Sequence, residues 1–118
     1  MKKLLALAAI LFTTPSYAQS APFVYETACA LEYQKQFLKD TCKVIETRES
    51  TGALRSRNVF SNKFGLTVKM RWNGEKFVTW DSHNKFEYEW EYKRDQVDGL
   101  GIWTKVMPSF YLENVSWD

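Results

Sequence analysis

The stretch L-T-V-K-M-R-W-N-G-E-K-F-V-T-W, residues 66–80, carries the reading on which the fold turns. Leu66, Val68, Met70 and Trp72 alternate with Thr67, Lys69 and Arg71, and beyond Asn73-Gly74 the residues Val78 and Trp80 alternate with Phe77 and Thr79. Period-two alternation on both sides of an Asn-Gly signal predicts two antiparallel strands joined by a tight turn. A two-residue turn would pair Val68 with Thr79 and set Arg71 against Lys76, mixing the faces and opposing like charges. A three-residue loop with Gly74 in the left-handed position pairs Leu66 with Trp80, Val68 with Val78 and Thr67 with Thr79, and it sets Arg71 opposite Glu75. A slip of one residue moves every side chain to the other face, so parity selects the longer loop.

The next strand extends this pattern. In K-F-E-Y-E-W-E-Y-K, residues 85–93, Phe86, Tyr88, Trp90 and Tyr92 alternate with Glu87, Glu89 and Glu91. Continued through the D-S-H-N turn, the register pairs Trp80 with Phe86, Val78 with Tyr88 and Lys76 with Trp90. The rings then join Leu66, Val68, Val78 and Trp80 as core wall, and the glutamates face water. A row of rings can also be a stacking platform, but such platforms are exposed, and strict alternation with carboxylates argues that these rings are inside. Trp72 and Tyr92, near strand ends, are the rings expected to reach solvent.

Further alternating segments lie at 42–49, 54–60, 101–106 and 110–117, separated by short intervals rich in Gly, Asn, Asp and Ser. Short strands at even spacing, with connections too short for parallel crossovers, predict a mainly β domain. The expected architecture is a small antiparallel meander of about seven strands, barrel-like or a sandwich. Residues 27–41 remain open between a hairpin and a short helix: composition favours helix, while Cys29, Leu31 and Tyr33 also fit one face of a strand. One continuous helix would start the sulfurs of Cys29 and Cys42 about 20 Å apart, which leans the reading towards a hairpin with Cys29 opposite Cys42.

The first residues read as a secretory signal. Met1-Lys2-Lys3 is a basic start, Leu4 to Phe12 is apolar, and Ser16-Tyr17-Ala18 offers small residues at a cleavage site. The expected division is a signal peptide at 1–18, a loose arm at 19–26 and a single β-domain at 27–118. The apolar run is about half of the roughly 20 residues needed to span a bilayer, so no membrane span is expected, and the exported product belongs in the periplasm or outside the cell. In such a compartment the two cysteines, Cys29 and Cys42, predict a disulfide. The chain carries 16 Lys+Arg and 14 Asp+Glu; without Lys2 and Lys3 it stands at 14 against 14. A nucleic-acid partner inferred from net charge therefore has no support.

Candidate chemistry is sparse. Asp81-Ser82-His83 contains the residue types of a hydrolase triad, but sequence neighbours seldom converge in space, and Asp81 fits a turn that bonds backbone amides. His83 is the single histidine, too few ligands for a common zinc centre. Glu89 and Glu91 on one strand face form no cleft for glycoside cleavage. Asp95 and Asp98 before Gly99 lack the spacing of a calcium loop. Asn114-Val115-Ser116 matches the glycosylation sequon. No metal, cofactor or catalytic residue is expected.

If strand 54–60 pairs through Phe60 and Leu66, Arg55 and Arg57 fall beside Lys69 and Arg71 on the outer face. That gives a cationic patch, with Phe77 as an apolar anchor between it and the acidic stripe of Glu87, Glu89 and Glu91. The expected function is a monomeric, exported, non-enzymatic binding protein, an inhibitor of or accessory to an envelope or extracellular protein. It would engage a protein partner or an anionic ligand through Arg55, Arg57, Lys69, Arg71 and Phe77. The alternative is a small-ligand carrier with an aromatic-lined barrel interior, and a small secreted hydrolase is a distant third.

Overall fold

A computed structural model of the chain describes residues 21–97, 99, 101–113 and 115. The signal at 1–18, Asp98, and Asn114 and Ser116 of the sequon lie outside the described residues. Among these described residues, nine strands form one antiparallel sheet: β1 (Phe23–Tyr33), β2 (Gln36–Arg48), β3 (Leu54–Ser61), β4 (Thr67–Trp72), β5 (Phe77–Asp81), β6 (Glu87–Glu89), β7 (Lys93–Val97), β8 (Gly101–Met107) and β9 (Phe110–Glu113). Their order across the sheet is β6-β5-β4-β3-β2-β1-β9-β8-β7.

Two of these strands account for the excess over the expected seven. Residues 27–41 form the β1–β2 hairpin, turning at Gln34 and Lys35, both with positive φ (52° and 64°). Asn-Gly is the usual signal for such a turn, so Gln-Lys conceals it. The stretch 86–93 is not one strand. It breaks at Trp90–Tyr92: Glu87–Glu89 form β6 at one edge of the sheet, and Lys93 begins β7 at the other. Three residues separate Glu89 from Lys93, and the four steps between them reach at most about 14 Å. Nine flat strands would hold those edges roughly 38 Å apart. The sheet is therefore curled into a half-barrel, with residues 90–92 spanning from edge to edge.

Curling encloses the concave face. Val44, Val59, Val68 and Met70 from β2 to β4 pack in one buried cluster with Val106, Phe110 and Leu112 from the far side of the sheet. The cluster includes the disulfide Cys29–Cys42, whose Cα atoms are 5.9 Å apart. The cysteines are diagonal neighbours: Cys42 pairs with Thr27 and Cys29 with Asp40, because the turn at 34–35 sets that register. On the convex face, Ala30, Val97, Trp103 and Tyr111 form a second, smaller cluster.

The register of residues 66–80 differs from expectation. Trp72 pairs with Phe77, Met70 with Thr79 and Val68 with Asp81, across a four-residue loop. Asn73 stabilises that loop, its Oδ1 accepting from the amides of Glu75 (2.9 Å) and Lys76 (2.8 Å). Thr79 and Asp81 consequently face the core and are fully buried, while Trp80 pairs with Lys69 on the convex side. The pairing of β5 with β6 is displaced as well, Thr79 meeting Tyr88 and Trp80 meeting Glu87. Both displacements are odd, so they cancel. Tyr88 lies on the concave side and Glu87 and Glu89 on the convex one, as the alternation predicts. Phe86 is the exception among the rings, 59% exposed just before β6 begins.

A buried aspartate on a core face requires partners. Asp81 Oδ1 accepts from the amides of His83 (3.0 Å) and Asn84 (2.9 Å), and Oδ2 accepts from the Asn84 side chain (2.9 Å) and the Tyr88 hydroxyl (2.8 Å). Burial pushes its pKa up, but the hydrogen bonds from Asn84, Tyr88 and His83 outweigh that and hold it below the ordinary aspartate value. The contribution to stability is therefore complete above the unfolded-state pKa and is lost as pH falls through the folded one. Asp81→Ala is expected to cost about 3 kcal/mol in denaturant unfolding by leaving these donors without an acceptor. Asp81→Asn is expected to flatten the decline of stability below pH about 4, and an unchanged acid limb would refute this role.

Candidate functional site

The five residues expected to form one outer patch are distributed over different surroundings. β3 pairs with β4 through Phe60 and Thr67, one residue from the expected register, so Arg57 meets Met70 and Asn58 meets Lys69. Arg57 therefore points into the half-barrel, fully buried. Arg55 is exposed, and Phe77 is half-buried on the concave side. Lys69 and Arg71 alone share the convex face. Lys69 Nζ lies 5.3 Å from the centre of the Trp80 ring, and Arg71 forms a bidentate pair with Glu87, Nη2 to Oε1 at 2.9 Å. Lys76 approaches Glu89 at 3.5 Å. Charges of opposite sign interleave across this face rather than dividing into a cationic patch and an acidic stripe. Between them Ser56, Asn58, Lys69, Arg71, Trp80 and Glu87 line a shallow depression.

Arg57 belongs to a buried polar network near one end of the half-barrel. Its Nε donates to Glu46 Oε2 at 2.8 Å, and the Tyr25 hydroxyl donates to the same oxygen at 2.5 Å. Arg48 Nε donates to Glu46 Oε1 at 3.1 Å, and its Nη1 donates to the Gly52 carbonyl at 2.8 Å. Glu46 and Arg57 are direct cross-strand partners. Burial raises the Glu46 pKa, but the Tyr25 hydroxyl and the two guanidinium groups hold it below the usual glutamate range. Burial and the hydrogen bond to Glu46 push the Tyr25 phenol well up.

At the same end, four rings run in series. Trp72 meets Phe77 edge-on at 5.1 Å, Phe77 meets Tyr92 at 5.9 Å, and Tyr92 meets Trp90 at 5.2 Å. The outermost ring, Trp72, is 42% exposed. Trp72, Phe77 and the buried Leu54 wall a concavity of about 550 Å³, closed on the other side by the β2–β3 loop with Glu49, Thr51 and Gly52. That loop is held by mutual backbone bonds, Glu49 N to Ala53 O and Gly52 N to Glu49 O, both 2.8 Å. On the other flank of Phe77 a second depression of about 450 Å³ is lined by Lys76, Glu89, Trp90 and Glu91. An apolar concavity with a few polar groups at its rim is the usual form of a ligand site. Leu54 and the loop at 49–53 carry no sequence signal for such a site; the position of Trp72 at a strand end is the one feature that anticipates its exposure.

The cluster of Cys29, Asp40 and Cys42 is committed to structure. Cys29, Asp40 and Cys42 bring ligand atoms within 4.8 Å of one another, but the sulfurs are bonded to each other. The Asp40 carboxylate accepts from the amides of Thr41, Asn62 and Lys63 at 2.7–3.0 Å. Among the described residues no helix is long and apolar enough to cross a membrane. Compared with known proteins, the chain matches no family model, no curated protein and no solved structure.

Removing one member of the buried ion pair leaves the other charge desolvated. Glu46→Leu is expected to cost about 3 kcal/mol, and Glu46→Leu with Arg57→Met is expected to recover most of that loss. Additive costs in the double variant, read by chemical unfolding, would show that the two residues are not coupled.

Proposed function

We propose that the protein is an exported, non-enzymatic binding protein that holds its ligand at the aromatic mouth of the half-barrel. The observation that carries this reading is the wall formed by Trp72, Phe77 and Leu54 around an open concavity of about 550 Å³. A volume of this size suits a small organic group. The side chains of Val44, Val59, Val68, Met70 and Leu112 fill the concave core without exposure, so the ligand is expected at the mouth rather than in the barrel interior. The buried carboxylates Asp40, Glu46 and Asp81 are engaged in hydrogen bonds that organise the fold, which favours binding over acid–base chemistry. The basic, apolar and small-residue order of residues 1–18 supports export, and the disulfide is consistent with it.

Trp72→Ala is expected to abolish ligand-induced changes in tryptophan fluorescence when the protein is titrated with small organic compounds, with thermal stability altered by less than about 1 kcal/mol because the ring is partly exposed. Ligand responses that persist unchanged in Trp72→Ala would place binding elsewhere.

A second reading, contact with a protein partner through the convex face, rests on the depression between Lys69, Trp80, Arg71 and Asn58. Partly exposed Trp and Arg side chains are common anchors at such contacts. On that reading Lys69→Glu with Arg71→Glu would weaken partner capture from a periplasmic extract by about tenfold or more, while Trp72→Ala would leave it intact.

A further inference from the structure

The charged groups around the mouth differ in how they are neutralised. Glu46, behind it, is matched by Arg57, Arg48 and Tyr25. Glu89 and Glu91, on the far flank of Phe77, lie 3.5 Å from Lys76 and 4.0 Å from Lys93 respectively. Among the described residues, Glu49 is the single acidic side chain lining the mouth itself, and it makes no ion pair. The adjacent cation, Arg48, is paired with Glu46, and its Nη1 donates to the carbonyl of Gly52 at the rim of the mouth. The two aromatic walls, Trp72 and Phe77, are steeply angled at 64°, so they present non-parallel faces. Ring faces carry negative electrostatic potential and attract an alkylated ammonium, whose methyl groups also suit apolar walls.

We infer that the mouth is a site for a small organic cation of the quaternary ammonium class, with Trp72 and Phe77 as aromatic walls and Glu49 as the countercharge. This rests on the reading that ligands bind at the mouth, and it adds the sign of their charge. Cation–π attraction supplies the preference over a neutral group of the same shape, and Glu49 adds a Coulombic component that salt screens.

The test follows the five tryptophan indole N–H signals by NMR, with Trp72 identified from its loss in Trp72→Phe. The protein is titrated with choline and, separately, with dimethylbutanol, the neutral carbon analogue of choline. Choline is expected to move the Trp72 signal saturably and to bind about fivefold or more tightly than dimethylbutanol. Glu49→Gln is expected to narrow that ratio by about threefold, leaving the dimethylbutanol affinity unchanged. Equal affinities for the two compounds at Trp72 would overturn the cation preference while leaving the mouth as a binding site. A Trp72 signal that moves with neither compound also overturns it, and the site then stands or falls on the Trp72→Ala titration. A ratio unaffected by Glu49→Gln would remove Glu49 from the assignment.

Discussion

The structure depends on a constraint of reach. Between Glu89 at the end of one edge strand and Lys93 at the start of the other there are three residues, Trp90, Glu91 and Tyr92. A chain of that length cannot cross a flat nine-stranded sheet, so the sheet must roll until its edges approach each other. Rolling converts one face of a meander into an enclosed core in which β4 residues such as Met70 pack in the same cluster as Leu112 of β9. It also leaves the ends of the half-barrel as the places where concave side chains meet solvent. The mouth walled by Trp72 and Phe77 is a consequence of that geometry.

An enclosed concave face also changes where polar residues can sit. Asp81 and Thr79 occupy core-facing positions on β5, and Glu46 and Arg57 do so on β2 and β3. The carboxylates among them are matched locally: Asp81 by the amides of its own turn and by Tyr88, and Glu46 by Arg57 directly across the ladder. Hydrogen bonding offsets desolvation at these positions, so polarity ceases to mark the outer face. That is why a register chosen to place every apolar residue inside errs for β4–β5, and why Arg57 is a core residue rather than part of a surface patch.

The same logic separates structural from available groups. On the convex side, interleaved pairs such as Arg71 with Glu87 leave little unbalanced charge. Exposed pairs of this kind contribute little to stability and serve chiefly to keep the face soluble and matched. At the mouth the order is reversed, with apolar and aromatic walls and, among the described residues, one carboxylate. The contrast between a charge-balanced flank and an aromatic opening directs the functional reading to the opening.

Strand alternation, turn residues and two closely spaced cysteines were sufficient to specify an antiparallel β-domain with one disulfide, because these depend on local periodicity and composition. The inward side of Tyr88 and the outward side of Glu87 and Glu89 were legible for the same reason. Of the two rings expected to reach solvent from strand ends, Trp72 does so, whereas Tyr92 is half-buried with its hydroxyl shielded. The pairing registers were not, since Asn73 supports a four-residue loop as readily as a shorter one, and either loop is compatible with the local pattern. The break at Trp90–Tyr92 was also hidden, because the alternation of rings and glutamates continues through it without interruption. Only tertiary structure decided that the two ends of that stretch belong to opposite sheet edges, that Arg57 lies inside against Glu46, and that Leu54 and Glu49 meet Trp72 at the mouth. These outcomes depend on which distant strands share a core, and local periodicity carries no information about that.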